Sequence, residues 1–115
     1  MEAKPSLDMN PGPFREIWIV TEVRLWRRDE QYIAVITNKR DVEALSGLAG
    51  RRVILKLGDI YVDGTLLKVR HGNKFELMMV LPRRMALTWE SLRSRSIVHP
   101  AIIIVPPSIE SPRVT

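Results

Sequence analysis

Apolar and polar residues alternate along much of this sequence, and the pattern predicts a protein built mostly from β-strands. Residues 17–26 alternate with period two and are rich in β-branched and aromatic side chains, which is typical of a strand. The polar residues 27–31 separate it from a second β-type segment, residues 32–37, so a hairpin is the simplest connection. A helix over residues 15–31 is the competing interpretation, disfavoured by the density of β-branched residues.

A short helix is predicted after this hairpin. Asn38 suits the N-cap of a helix over residues 39–46, with Asp41 and Glu43 near its positive end. Gly47 is placed to end it. The helix is therefore expected to be short, with one apolar face.

A second hairpin has the clearest signal in the chain. Residues 53–57 and 60–69 have strand patterns and flank a two-residue Gly58-Asp59 turn. Gly64 interrupts the second strand, and a Gly inside a strand usually marks a bend where backbones come close. We expect the sheet to curl at this point.

The last part of the pattern is more broken. Residues 75–81 indicate a strand that Pro82 stops, and residues 85–94 fit either a helical turn or a continuing strand. Residues 96–98 and 101–105 then predict two short strands broken by Pro100. Because residues 101–105 are apolar on both faces, they need cover on both sides. A neighbouring subunit is one source of cover, and the first hairpin is the other.

The length of 115 residues predicts one small domain with extensions. We divide the chain into an arm (1–13), a β-hairpin extension (14–38), a small barrel (39–107) and a tail (108–115). The absence of cysteine excludes disulfides, Cys-based metal sites and thiol catalysis. No apolar run has the length of a membrane span or signal peptide, so we expect a cytoplasmic protein with no membrane partner.

The net charge of +5 is concentrated in the middle of the chain. Residues 51–95 hold 10 Lys and Arg against 4 Asp and Glu, and 13 of the 18 basic residues of the chain are Arg. Arginine suits phosphate recognition, so nucleic acid is the favoured partner class. The alternative is an Arg-rich surface of the kind found in thermophilic proteins, with no bound partner.

Residues 45–107 resemble the Sm-like family, which includes the bacterial RNA chaperone Hfq. The first motif is matched by residues 48–59 followed by the bend at Gly64, and the second by residues 97–106, which contain Val98-His99-Pro100. The resemblance implies a strongly bent five-stranded barrel with a short helix before it, preceded here by the extra hairpin. It also implies a homo-oligomeric ring that binds single-stranded RNA near its pore, with no cofactor.

The family's usual uridine-binding residues are not matched, because Arg70 and Asn73-Lys74 stand where the family commonly has Asp and Met-Asn. The resemblance therefore implies RNA contact through two turns facing the pore, 70–74 and 98–101, without a nucleotide preference. Arg70 and Lys74 are expected to contact phosphates, and His71, Asn73 and His99 to hydrogen-bond or stack with bases. An outer basic rim is expected from two Arg pairs: Arg51, Arg52, Arg83 and Arg84.

Other interpretations stay open. A basic turn is often only solvated, His99 beside Pro100 also suits a structural turn, and the Arg pairs also suit an ordinary surface. Trp18 and Trp26 share a strand face that either packs over the barrel or contacts a protein partner. A structural or adaptor ring without RNA is one alternative function. A swapped dimer that binds duplex DNA is another, because residues 80–84 resemble the basic Leu-Pro step of the AbrB-type family.

Catalysis is not expected. The sequence has no Gly-rich phosphate loop and no metalloprotease motif, and its two histidines are far apart. Asp59 and Asp63 suit a turn and a bend better than acid–base chemistry. We expect neither a metal nor a cofactor.

Overall fold

A computed structural model describes residues 16–107, which form one curled β-sheet and two short helices. The strands are β1 (Ile17–Arg28), β2 (Gln31–Ile36), β3 (Arg52–Leu57), β4 (Ile60–Thr65), β5 (Leu67–His71), β6 (Lys74–Val80) and β7 (Val98–Val105). The helices are α1 (Lys39–Leu45) and α2 (Ala86–Arg95), and single 3₁₀ turns lie at Ser46–Leu48 and Arg83–Met85. The predicted arm, 1–13, and tail, 108–115, lie outside the described residues.

The sheet is antiparallel throughout, with the strand order β4-β3-β7-β1-β2-β6-β5. Its two outermost strands, β4 and β5, are consecutive in the chain and are joined by the single residue Leu66. The sheet therefore curls so strongly that its two edges come together, which gives a half-barrel. The mostly-β prediction is confirmed, but the expected five strands are wrong, because the sheet has seven.

The first hairpin lies inside the sheet. β1 pairs with β7 over Ile17 to Arg24 and with β2 over Arg24 to Arg28, and β2 pairs with β6. The hairpin of residues 14–38 was expected to precede a complete barrel, and it instead supplies two central strands. β7 consequently lies between β3 and β1, so this hairpin covers the apolar last strand on the side away from β3.

The predicted break at Pro100 is wrong. β7 runs without interruption from Val98 to Val105, and Pro100 is in register with Glu22 of β1. On its other side β7 pairs with β3 only at Ile102–Ile104, so Pro100 has a neighbouring strand on one side alone. A residue without an N–H is tolerated at such a position. Residues 98–101 therefore form part of a strand, not the expected turn.

Three hairpins have two-residue turns. Gly58-Asp59 joins β3 to β4, Gly72-Asn73 joins β5 to β6, and Asp29-Glu30 joins β1 to β2. The first residue of each turn has positive φ, at 60°, 63° and 59°. A positive φ at this position matches the right-handed twist of the flanking strands. The predicted Gly58 turn is confirmed.

The core fills the concave side of the sheet and is closed by the helices. Val42 and Leu45 of α1 and Trp89 of α2 are buried against it. Asn38 caps α1 as predicted, because its Oδ1 accepts from the Asp41 N–H at 3.2 Å. Thr21 of β1 donates its hydroxyl to Asp41 Oδ2 at 2.7 Å, which ties α1 to the central strand.

Residues 85–94, which the pattern left undecided, form most of α2. Trp89 is fully buried, and its indole N–H donates to the Pro82 carbonyl at 2.8 Å. This bond fixes the chain reversal between β6 and α2. Neither helix in residues 16–107 has the length and apolar character needed to cross a membrane.

Candidate nucleic-acid interface

A groove of about 430 Å³ runs between α1 and the β5–β6 hairpin. Seven of its nine lining residues have a polar or charged side chain and one has an aromatic ring: Thr37, Lys39, Val42, Glu43, Ser46, Lys68, Asn73, Lys74 and Phe75. The groove has this position because the curl of the sheet brings its edge strand β5 and the hairpin tip beside α1. Two residues of the predicted turn 70–74, Asn73 and Lys74, line this concave surface together with residues of α1.

Phe75 is the aromatic residue of this groove. It is 47% exposed and pairs across the strands with Arg70. Lys68 Nζ lies 4.6 Å from the centroid of the Phe75 ring, and the Arg70 guanidinium carbon lies 5.8 Å from it. Both distances are within the range of a cation–π interaction, so the ring orders two cations at the groove.

The charge of the groove is positive. Lys39, Lys68 and Lys74 line it, against one carboxylate among the described lining residues, that of Glu43. Within residues 16–107, none of the three lysines has a carboxylate oxygen within 4.0 Å. No carboxylate of the described residues therefore neutralises them.

The structure brings together four of the predicted site residues: Arg70, His71, Asn73 and Lys74 form the tip of the β5–β6 hairpin, and all are exposed. Arg70 donates from Nε to the Gly72 carbonyl at 2.9 Å, which braces the turn. His71 Nε2 lies 4.0 Å from Glu76 Oε1.

None of the four arginines of the two predicted Arg pairs lines this groove. Arg52 Nη2 donates to Asp63 Oδ2 at 2.8 Å, and Arg83 Nη2 to Glu30 Oε1 at 2.7 Å. The Arg52 hydrogen bond is the main reason that the pKa of Asp63 is below its usual range, and Arg84 adds a weaker effect. Arg52 and Arg83 therefore pair with carboxylates of this chain, and Arg84 affects the pKa of one of them. Asp63 consequently has a structural partner in Arg52. Arg51 is exposed at the start of β3.

His99 has a structural position. It is half-buried in β7, and its Nε2 lies 2.7 Å from the Ser96 carbonyl and 3.0 Å from the Leu92 carbonyl. Two carbonyl acceptors require Nε2 to carry the proton and donate. The ring therefore joins the end of α2 to the start of β7, and His99 does not lie at the tip of the β5–β6 hairpin.

A second polar cluster supports α2. Tyr32 donates its hydroxyl to Glu90 Oε1 at 2.5 Å, and Arg93 Nη1 lies 3.5 Å from the same oxygen. The hydrogen bond is the largest cause of both resulting shifts, which lower the pKa of Glu90 and raise that of Tyr32 from its ordinary 10.0. Arg93 Nε also donates to the Leu25 carbonyl at 3.3 Å, so the cluster attaches α2 to β1 and β2.

Sequence reasoning missed the part of the groove outside the turn. Lys39 is the first residue of α1. Lys68 lies two residues before Arg70 in β5 and therefore on the same face of the strand. Strand alternation alone places Lys68 and Arg70 on one face, and that was the signal available in the sequence. The contribution of α1 required the tertiary fold.

The two tryptophans of β1 differ in their surroundings. Trp26 is half-buried, whereas Trp18 is 51% exposed and donates its indole N–H to Glu16 Oε1 at 2.7 Å. Of the two alternatives for the tryptophans, packing over the barrel therefore fits Trp26 better than it fits Trp18.

Within residues 16–107, no group of three His, Asp or Glu side chains is placed to hold a metal ion. Comparison with known proteins gives no match to a family model, to a curated protein or to a solved structure.

Proposed function

We propose that this protein binds single-stranded RNA in the groove between α1 and the β5–β6 hairpin. The observation that carries the proposal is the combination, in one concave site, of three lysines that lack ion-pair partners among the described residues and the half-exposed ring of Phe75. Cations neutralise phosphates, and an exposed aromatic ring offers a surface on which an unpaired base stacks.

Single strands fit this site better than a duplex. A base inside a duplex is already stacked on both faces, so it has no free face for an exposed aromatic ring. The polar groups of Asn73 and Ser46 line the same groove and supply hydrogen-bonding partners for a base edge or a ribose. Arg70 lies at the rim and adds a phosphate contact next to Lys68.

The proposal includes assembly of several copies into a ring, which sums weak contacts over many subunits. It rests on the resemblance to Sm-like proteins and on the order of elements in residues 39–80, which is a helix, the β3–β4 hairpin, a bend at Leu66 and the β5–β6 hairpin. Light scattering tests the assembly separately from RNA binding. If the protein binds RNA as a monomer or dimer, the proposed site stands and the proposed ring fails.

The test of RNA binding measures the affinity of a labelled single-stranded RNA and of a duplex DNA at two salt concentrations. We expect tighter binding of the RNA, with log Kd depending on log salt with a slope of about 0.7 per phosphate contacted. The double variant Lys68→Glu with Lys74→Glu should weaken RNA binding at least tenfold. Phe75→Ala should weaken it by about 1–3 kcal/mol with little change in salt slope, because it removes stacking and no cation.

A matched control separates the groove from net charge. Arg28→Glu with Arg95→Glu makes the same change in charge at two exposed residues that do not line the groove. Equal loss of affinity in both double variants would mean that RNA responds only to overall charge, and would remove the groove from the proposal.

Failure to bind RNA at low salt leaves the other functions. Preference for duplex DNA would support the AbrB-type alternative, although Leu81 is buried and Arg83 is paired with Glu30. Stable rings that bind neither nucleic acid would support an adaptor, with the Trp18 region as the surface for a protein partner.

A further inference from the structure

A carboxylate lies among the cations of the groove. The wall of the groove that α1 and the turn after it supply is lined by residues with the i, i+3, i+4, i+7 spacing of one helical face: Lys39, Val42, Glu43 and Ser46. Glu43 carries the one acidic side chain of the described lining. Because a carboxylate repels phosphates, an RNA in this groove is expected to place a base or a ribose beside Glu43.

Within residues 16–107, the Glu43 carboxylate has no ion-pair partner. Glu43 is exposed, and no Lys, Arg or His nitrogen of the described residues lies within 4.0 Å of its oxygens. Lys39 lies four residues before Glu43 on the same helical face, which is the less favourable order for an ion pair. The wall therefore presents an acceptor and a donor as two separate groups at neighbouring positions.

Ser46 adds an acceptor to the same wall. Its hydroxyl donates to the Val42 carbonyl at 2.6 Å, so its proton is already used. The Ser46 oxygen keeps its capacity to accept a hydrogen bond. Apart from Lys39, this wall therefore offers side-chain acceptors to a ligand.

The four RNA bases differ in the donors of their Watson–Crick edges. Guanine has two adjacent donors, N1–H and N2–H, followed by the acceptor O6. Adenine and cytosine each have one amino donor beside a ring-nitrogen acceptor, and uracil has one donor between two carbonyls. A carboxylate only accepts, and it does so through two oxygens, so guanine is the base from which it receives two parallel hydrogen bonds.

We propose that the groove selects guanine, with Glu43 accepting from N1–H and N2–H of a base stacked on Phe75 and Lys39 donating to O6. The inference rests on the proposed RNA binding and adds a base preference to it. Lys68 and Lys74 line the other wall, which the β5–β6 hairpin supplies, and they contact phosphates. The volume of about 430 Å³ is within the range of small-ligand pockets, so one nucleotide has room in the groove.

Four labelled RNAs test the preference. Each is a short chain of abasic ribonucleotides with one nucleoside at its centre: guanosine, adenosine, cytidine or inosine, which is guanosine without the N2 amino group. We expect the guanosine RNA to bind about five- to tenfold more tightly than the adenosine and cytidine RNAs. The inosine RNA should be intermediate, because it keeps one of the two hydrogen bonds to Glu43.

Glu43→Gln should remove the preference. The amide has the size of the carboxylate but one acceptor and one donor group, so the guanosine and adenosine RNAs should bind within about twofold of each other. The ratio of the two affinities does not change if the loss of a negative charge strengthens all binding equally. Glu22→Gln makes the same change in charge at an exposed residue that does not line the groove, and it should leave the ratio as in the parent.

The labelled single-stranded RNA of the proposed function is the reference in this experiment. If it fails to bind at low salt, the proposed function fails and the base preference fails with it. If it binds and the four RNAs do not differ, guanine selection alone is overturned. A guanosine preference that survives Glu43→Gln would also overturn the inference, because the carboxylate would then not be what selects the base.

Discussion

Gly64 of β4 lies directly against the side chain of Met79 of β6. A Cβ at position 64 would be 3.0 Å from Met79 Cγ and 3.1 Å from Met79 Sδ. These strands are not neighbours in the sheet order, so the contact spans the inside of the curl. The missing side chain at residue 64 is what allows β4 to approach β6 just before Leu66 carries the chain to the other edge of the sheet.

Gly64→Val should therefore destabilise the fold by overpacking, by about 1–3 kcal/mol, as measured by urea unfolding. Gly47→Ala is the matched control, since a Cβ there has no neighbour within 4 Å and φ is not positive. The cost of Gly64→Val should fall when Met79 is already Ala. An unchanged cost in that background would show that the two residues do not compete for the same space.

Trp89 should be the most costly residue of α2 to remove. It is fully buried and its indole N–H satisfies the Pro82 carbonyl. Trp89→Ala should lower the free energy of unfolding by about 3–5 kcal/mol. Leu87→Ala, on the exposed side of the same helix, should change it by less than about 0.5 kcal/mol. Similar losses in both variants would mean that α2 contributes through helix propensity alone.

The Tyr32–Glu90 hydrogen bond should make stability depend on pH at both ends of the scale. The pKa of Glu90 is lowered, so its contribution is present above the ordinary Glu pKa and is lost as pH falls through the lowered value. The pKa of Tyr32 is raised, so its contribution is present below 10.0 and is lost as pH rises through the raised value.

Tyr32→Phe should reduce this dependence, because the Tyr32 hydrogen bond is the largest cause of the lowered Glu90 pKa. Urea midpoints of the two proteins should differ most near pH 7 and converge as the pH falls through the lowered pKa of Glu90. A difference that stays constant from pH 7 to pH 3 would assign the effect of Tyr32 to packing instead.

His99 should matter for stability and not for RNA. His99→Phe removes the donor to the Ser96 carbonyl and one of the two donors to the Leu92 carbonyl, which keeps the Ser96 N–H, so it should cost about 0.5–1.5 kcal/mol. RNA affinity, measured where the variant is fully folded, should stay within about twofold of the parent, whereas Lys74→Glu should weaken it. Loss of RNA affinity in folded His99→Phe would return His99 to the binding site.

The local features of the fold could be predicted from the sequence. Asn38 caps α1, Gly58 opens a tight turn and Gly64 lies where β4 comes close to a side chain of β6, because each depends on the conformation or size of one residue. The position of β1 could not be predicted in this way. Its pairing with β7 joins residues at opposite ends of the described chain, and no local pattern encodes that register.

The same distinction applies to the candidate site. Arg70 and Lys74 are close in sequence and lie together at one hairpin tip. Lys39 reaches the groove through the packing of α1, and Phe75 becomes relevant only through its cross-strand relation to Arg70. His99 was placed near the turn because residues 98–101 were expected to be irregular, whereas pairing with β1 keeps them extended.

The central position of β1 has a consequence for how the chain is made. Ile17 is paired with Val105, so β1 leaves the ribosome long before the strand that covers its edge has been translated. Until then residues 17–23 of β1 have no strand paired with them, because β2 pairs with β1 only from Arg24 onward. The nascent protein therefore stays incompletely folded until β7 has been synthesised. The final folding step should follow the synthesis of β7 and be slow for a domain of this size.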